Sequence, residues 1–254
     1  MANLVMLYEE KMSKVAVIVE TREHKAMPFV LNNVMSVLPD DWDLQIFHGS
    51  NNLNYITDVI QNDELLKNKN IYFNDLNTNE LNHGNYVKLF TSLEFWNSCE
   101  GEIILIFQTD SMLCPNSKYK IEDFEHFNYI GGYWGNVLNP LDFDYNRVMN
   151  GGLSLRKKSF MLDIIKNKLQ IYLDNGGNPC EDYFVSACLK ETPTVKEVLS
   201  FCIDNGYMYP LENKAPFALH NPWGTNLSKG HGKYYDEIKK VCEGVEELER
   251  LNGL

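Results

Sequence analysis

The chain has no apolar run approaching the length of a bilayer-spanning helix, no Cys-x-x-Cys pair and no excess of basic residues. The first absence argues against an integral membrane protein. An apolar patch in "MANLVMLYEEKMSK" is interrupted by Glu9 and Glu10 and reads as too short for a secretory leader or an anchor. Without cysteine pairs, the six cysteines (Cys99, Cys114, Cys180, Cys188, Cys202, Cys242) read as reduced core residues, which places the protein in a reducing compartment, the cytoplasm. With 23 Lys and Arg against 35 Asp and Glu, the formal net charge is -12. That balance argues against a broad face gripping nucleic acid or anionic lipid, though not against a local basic pocket. There is no internal repeat and no linker biased enough to separate independent domains.

What is present is enough apolar side chain for a full core: 44% of 254 residues are hydrophobic and 12% aromatic. "KVAVIVETREHKAMPFVLNNVMSVLP" reads as a buried strand over Val15 to Val19, a polar loop from Glu20 to Lys25 and an amphipathic helix ending near Pro39. "DLQIFHGSNN" predicts a second strand, "ITDVIQNDELLKN" a helix, "NIYFNDL" a third strand and "YVKLFTSLEFWNSC" a helix. "IILIFQTDSMLC" follows, the most apolar strand, ending abruptly in Gln108, Thr109, Asp110 and Ser111. Such alternation predicts an α/β fold with a mostly parallel sheet flanked by helices. Ligands of open α/β sheets sit outside the carboxyl ends of the strands, so Thr21 and Arg22, His48 and Gly49, and Thr109 to Ser111 gather on one edge. After Cys114 the pattern predicts short strands, loops and one long helix. The final "YYDEIKKVCEGVEELERL" puts Tyr235, Ile238, Cys242, Val245 and Leu248 on one helical stripe.

Four stretches carry candidate chemistry. Asp110 could ligate Mg²⁺ or Mn²⁺, because hard carboxylate oxygens suit those cations, or it could cap a turn. In "NGGLSLRKKSF", Gly151 and Gly152 would let backbone approach a ligand and Asn150 could bond hydroxyls. The same residues read as a hairpin turn with positive φ, and Arg156 to Lys158 as a solvated basic face. Glu181 and Asp182 open a helix in "NPCEDYFVSACL", where the dipole favours ionised carboxylates; they fit a general base or a plain cap. In "PFALHNPW", His220 could ligate a cation and Trp223 could stack on a sugar or base, or both could be structural.

The combination "VETREHKAMPFVLNNV", "IFHG", "FQTDSMLC", "NGGLSLRKKSF", "EDYFVSACL" and "PFALHNPW" resembles the GT-A nucleotide-sugar glycosyltransferases, and within them a family catalogued as a domain of unknown function. The resemblance runs from about Val15 to Trp223. It implies a single GT-A-like (Rossmann-like) domain over residues 1–254, with a nucleotide-binding half near 13–115, an acceptor-binding half at 116–230 and a C-terminal helix at 231–254. It implies a hexosyltransferase-type enzyme moving sugar from a nucleoside-diphosphate sugar to a glycan or other hydroxyl acceptor, with inversion. The family's DxD metal motif reads Gln108-Thr109-Asp110 here. Asp110 and His220 are thereby the implied Mn²⁺ or Mg²⁺ ligands, and Gln108 replaces the first acid, which puts strict metal dependence in question. Asp182 is the implied base and Glu181 its supporting acid. Gln108, Asn150, Gly151, Gly152 and Trp223 fall to the donor sugar and acceptor, and Thr21, Arg22, His48, Gly49, Thr109 and Asp110 to the nucleotide.

Two other classes stay open on the sequence. A non-catalytic sugar- or nucleotide-binding relative would keep the fold with an altered metal motif, but would not need Asp110, Asp182 and His220 together. A sugar nucleotidyltransferase would carry a glycine-rich basic loop after the first strand, and "ETREHKAM" has no glycine.

Overall fold

A computed structural model describes residues 12–133, 148–205, 214–224 and 234–253. The N-terminal patch up to residue 11 and the residue 134–140 part of the glycine-rich stretch lie outside the described residues. The first half alternates as its apolar pattern predicts: β1 (Lys14–Glu20), α1 (Met27–Val37), β2 (Trp42–His48), α2 (Leu53–Gln61), β3 (Ile71–Asp75), α3 (His83–Phe90), α4 (Leu93–Ser98) and β4 (Ile103–Phe107). β1 and β4 are β-branched and apolar on both faces because both faces are covered, as parallel strands require. The stretch read as one helix between β3 and β4 divides in two. Ser92 interrupts it, its hydroxyl accepting the Phe95 N–H and capping α4.

The second half holds β5 (Ser111–Leu113), β6 (Tyr129–Tyr133), β7 (Met149–Lys157), α5 (Lys158–Asp174), α6 (Glu181–Cys188), α7 (Val195–Phe201), β8 (Cys202–Asp204), β9 (Ala218–His220), α8 (Tyr235–Val241) and α9 (Val245–Leu251). Among the described residues the strands form one nine-stranded sheet ordered β3-β2-β1-β4-β7-β6-β8-β9-β5. Five of its eight pairings are parallel, so the sheet is mostly parallel; β7 is antiparallel to both neighbours and β5 to β9.

Three expectations are corrected here. Asn150 to Gly152 are not a hairpin turn with positive φ but part of β7. Gly131 pairs with Ser154 while its neighbour Gly132 pairs with Asn150, so Gly151, Gly152 and Leu153 bulge from the ladder. The C-terminal helix is two helices, because Gly244 at φ 98 breaks it. The expected stripe survives the break: Tyr235, Ile238, Cys242, Val245 and Leu248 are all buried. Finally, the six cysteines are not all reduced. Cys114, just after β5, is bonded to Cys242, just after α8. The pairing brings together residues 128 apart, beyond the reach of any spacing argument, and removes the reasoning that led to a reducing compartment. Among the described residues no helix is long and apolar enough to cross a membrane.

Candidate functional site

β1 and β4 are parallel neighbours, so their carboxyl ends open on the same edge of the sheet. A cavity of about 800 Å³ lies there, within the size range of small-molecule sites. Thr21, Arg22, Gln108, Thr109, Asp110, Asn150, Gly151, Gly152, Glu181, Asp182 and His220 all line it. Three expected residues do not. His48 ends β2 and Gly49 follows it, one strand farther out; His48 is buried with Nδ1 2.8 Å from the Gly49 carbonyl oxygen. A Cβ on Gly49 would meet the Thr78 carbonyl, so that glycine serves chain packing. Trp223 is a core residue, 4% exposed.

The turn after β1 is set by Asn52, a buried residue at the start of α2. Its Nδ2 donates to the Glu20 and Arg22 carbonyls at 2.9 and 3.0 Å, and its Oδ1 accepts the Gly49 N–H at 2.9 Å. Within the turn, the Glu20 carboxylate takes Nε and Nη2 of Arg22, each at 2.8 Å, a two-point pairing that fixes the guanidinium at the cavity rim.

One wall is built by the register of three strands. β9 puts His220 opposite Ser111 of β5 and Asp204 of β8. His220 Nδ1 lies 3.0 Å from Asp204 Oδ1, while Nε2 lies 3.1 Å from Gln108 Oε1 and 3.4 Å from Asp110 Oδ1. Burial opposes charge on His220, but Asp110 and Asp204 outweigh it and hold the imidazole well above its ordinary range. Burial likewise works to raise Asp110, yet the His220 charge prevails and its carboxyl sits below the usual range. Gln108 Nε2 donates to the Tyr86 hydroxyl at 2.9 Å, and Tyr86 stacks on Phe90.

This wall fits a hard divalent cation. Asp110 Oδ1 is buried without a hydrogen-bond partner among the described residues, and an imidazole nitrogen and an amide oxygen lie beside it. Asp204 holds Nδ1 and orients the ring, so Nε2 is the nitrogen that could ligate such a cation once its proton is given up.

The opposite wall is the start of α6. Glu181 and Asp182 occupy its first turn, both buried. Asp182 Oδ1 accepts the Gly151 N–H at 2.8 Å. Behind the bulge, Arg156 is fully buried and gives Nη2 to Glu181 Oε1 at 2.5 Å and to the Gly151 carbonyl at 3.2 Å. The expected solvated face therefore fails at Arg156, whose inward side chain was hidden in a run of three basic residues. The expectation that the helix dipole keeps Asp182 ionised is corrected too: burial, then the neighbouring Glu181 charge, push its carboxyl well above the usual range.

The glycines separate the two walls. A Cβ on Gly151 would strike Arg156, Glu181 and Asp182, and one on Gly152 would strike the His220 ring and Gln108. Sequence reasoning missed Asp204, Arg156, Tyr86 and Asn52. It also missed Asn252, which lines the cavity after α9 and donates to the Thr109 carbonyl at 3.0 Å.

Among solved structures, the chain is similar to the apo form of the glycosyltransferase GlyE of Streptococcus pneumoniae TIGR4, at 10% identity and TM-score 0.55, over 95% of this chain and 63% of that one. It thus spans less than two thirds of GlyE. It is similar to the galactosyltransferase LgtC, solved with donor and acceptor sugar analogs, at 11% identity and TM-score 0.54, over 94% of this chain and 95% of that one. At such identities the likeness establishes the fold, which is GT-A. No curated protein matches. One family model does, over residues 68–220, more than half the chain and the span from β3 to His220. The chain belongs to that family, DUF5672, described as a protein of unknown function, and it carries the fold of GT-A glycosyltransferases.

Proposed function

We propose that the chain transfers a sugar from a nucleoside-diphosphate sugar to a hydroxyl acceptor, with inversion at the anomeric carbon. One observation carries this reading: a single cavity sets a candidate cation-binding wall, Asp110 and His220 with Gln108, against an acid pair, Glu181 and Asp182, across two side-chain-free residues. Displacement of a nucleoside diphosphate needs charge neutralisation on the leaving side and a proton acceptor on the attacking side.

Asp110 and His220 would hold Mn²⁺ or Mg²⁺, which when bound neutralises charge developing on the departing diphosphate. Thr21, Arg22 and Thr109 line the nucleotide end, so residues 13–115 form the donor half and 116–230 the acceptor half. Asn150 and the open backbone of Gly151 and Gly152 receive the donor sugar and the acceptor. Asp182, as carboxylate, takes the proton of the acceptor hydroxyl. The electron pair of that O–H bond forms the new bond to the anomeric carbon, and the pair of the breaking sugar–phosphate bond leaves on the nucleoside diphosphate.

The test is calorimetry of the full chain against UDP, GDP, CDP and dTDP, each with and without Mn²⁺, beside Asp110→Ala. We expect one nucleotide to bind with a metal requirement and the variant to lose it. No binding across the panel overturns the donor site and favours a non-catalytic relative.

A further inference from the structure

The acid pair and Arg156 form a buried trio of one cation and two carboxyls at the cavity wall. Arg156 is 0% exposed, Glu181 4% and Asp182 8%. Two buried carboxylates beside a single guanidinium would leave an uncompensated negative charge in a low-dielectric site, which is relieved when the trio holds one proton. The geometry decides where that proton sits. Arg156 forms its ion pair with Glu181, at 2.5 Å, and not with Asp182, whose Oδ1 accepts the Gly151 N–H at 2.8 Å. The other Asp182 oxygen is left to carry the proton toward Glu181.

Arg156 itself is held rigidly. Its Nε donates to Ser154 Oγ at 2.9 Å, and that hydroxyl donates to the Gly151 carbonyl at 2.9 Å. The guanidinium lies 5.1 Å from the Tyr129 ring, 5.4 Å from Phe90 and 5.5 Å from Trp96, three aromatic faces that favour a cation. Its Nη1 has no hydrogen-bond partner among the described residues, an arrangement that spends a buried donor to keep the charge in place.

We propose that Arg156 is a positioning residue that fixes the single proton of the Glu181–Asp182 pair on Asp182. This rests on the reading of Asp182 as base. It adds that the base rests in its protonated form and must lose that proton before it can accept one from the acceptor hydroxyl. The upward displacement of Asp182 by burial and Glu181 agrees with this. The other titratable groups facing Asp182 are Cys180 beside it, Tyr129 from β6 and Tyr86 from α3. Burial raises all three, so each is neutral at physiological pH and Glu181 and Arg156 set the local charge.

The experiment is a carboxyl ¹³C NMR titration of the full chain without substrate, with Asp182 assigned by loss of its signal in Asp182→Asn. In the unsubstituted chain Asp182 should titrate well above ordinary aspartates. Glu181→Gln should lower the Asp182 midpoint by about 1 to 3 pH units, the effect of one adjacent charge. Arg156→Met should raise the pair's midpoint by a similar amount and spread the titration over both carboxyls. Arg156→Lys should restore most of the original behaviour. Should Arg156→Met fail to fold, the double variant Arg156→Met/Glu181→Gln removes both charges together, and its Asp182 midpoint should lie above that of Glu181→Gln, because no guanidinium remains to lower it. An Asp182 midpoint unmoved by Glu181→Gln, or unmoved by Arg156→Met, overturns the proposal; where only the double variant folds, a midpoint equal to that of Glu181→Gln does so. Because the titration is read without donor or acceptor, its failure is separate from a failure of nucleotide binding.

Discussion

Gly152 shows how a missing side chain can define a site. A Cβ there would come within 2.8 Å of Gln108 Oε1 and closer still to the His220 ring, which Asp204 prevents from swinging away. Gly152→Ala should therefore displace the imidazole and weaken metal-dependent nucleotide binding about tenfold, roughly 1.4 kcal/mol. Calorimetry on the variant checks this; unchanged affinity would mean that His220 has room to shift. At this scale the sequence was readable where a residue type is rare in its setting. An acid ending an apolar strand, a histidine among apolar residues and paired acids at a helix start identified Asp110, His220, Glu181 and Asp182, and all four line the cavity. Arg156 and Asp204 were not readable, because their partners Glu181 and His220 lie 25 and 16 residues away and meet them only through the fold. His48, Gly49 and Trp223 stand beside site residues in sequence, but strand position and burial turn them into packing groups.

Elements were legible where one apolar pattern sufficed. β1, β2 and β4 are buried along almost their whole length and read as strands from composition alone. The two helix breaks depend on finer features: a hydroxyl that caps a second start at Ser92 and a left-handed residue at Gly244. The β7 bulge could not be read, because β6 creates it by pairing Gly131 and Gly132 across a gap in register. Between elements, Asn52 ties the exit of β1 to that of β2 with three hydrogen bonds to backbone. Asn52→Ala leaves those groups unpaired in a buried turn and should cost about 1 to 3 kcal/mol. A lower urea midpoint at unchanged slope would register it; an unchanged midpoint would mean that water reaches the turn and satisfies those groups.

For the whole molecule, the parallel first half follows from alternation along the chain, whereas the second half is assembled by distant pairings. β5 finds β9 across more than a hundred residues, and that pairing sets His220 beside Asp110. The Cys114–Cys242 bond is the covalent one among these links and spans 128 residues. It tethers α8, and α9 beyond it, to the strand that follows Asp110, and α9 leads to Asn252 on the Thr109 carbonyl. Its removal in Cys114→Ser/Cys242→Ser should cost roughly 2 to 5 kcal/mol, read as a fall in melting temperature.

The same bond makes residues 114 to 242 a closed covalent ring. Asn150, Gly151, Gly152, Arg156, Glu181, Asp182, Asp204 and His220 all lie on that ring, while Thr21, Arg22, Gln108 and Asp110 belong to the tail that enters it. A single proteolytic cut anywhere on the ring opens it without separating the pieces. Nicked protein should therefore migrate as one species on a non-reducing gel and divide in two only after a thiol reductant is added.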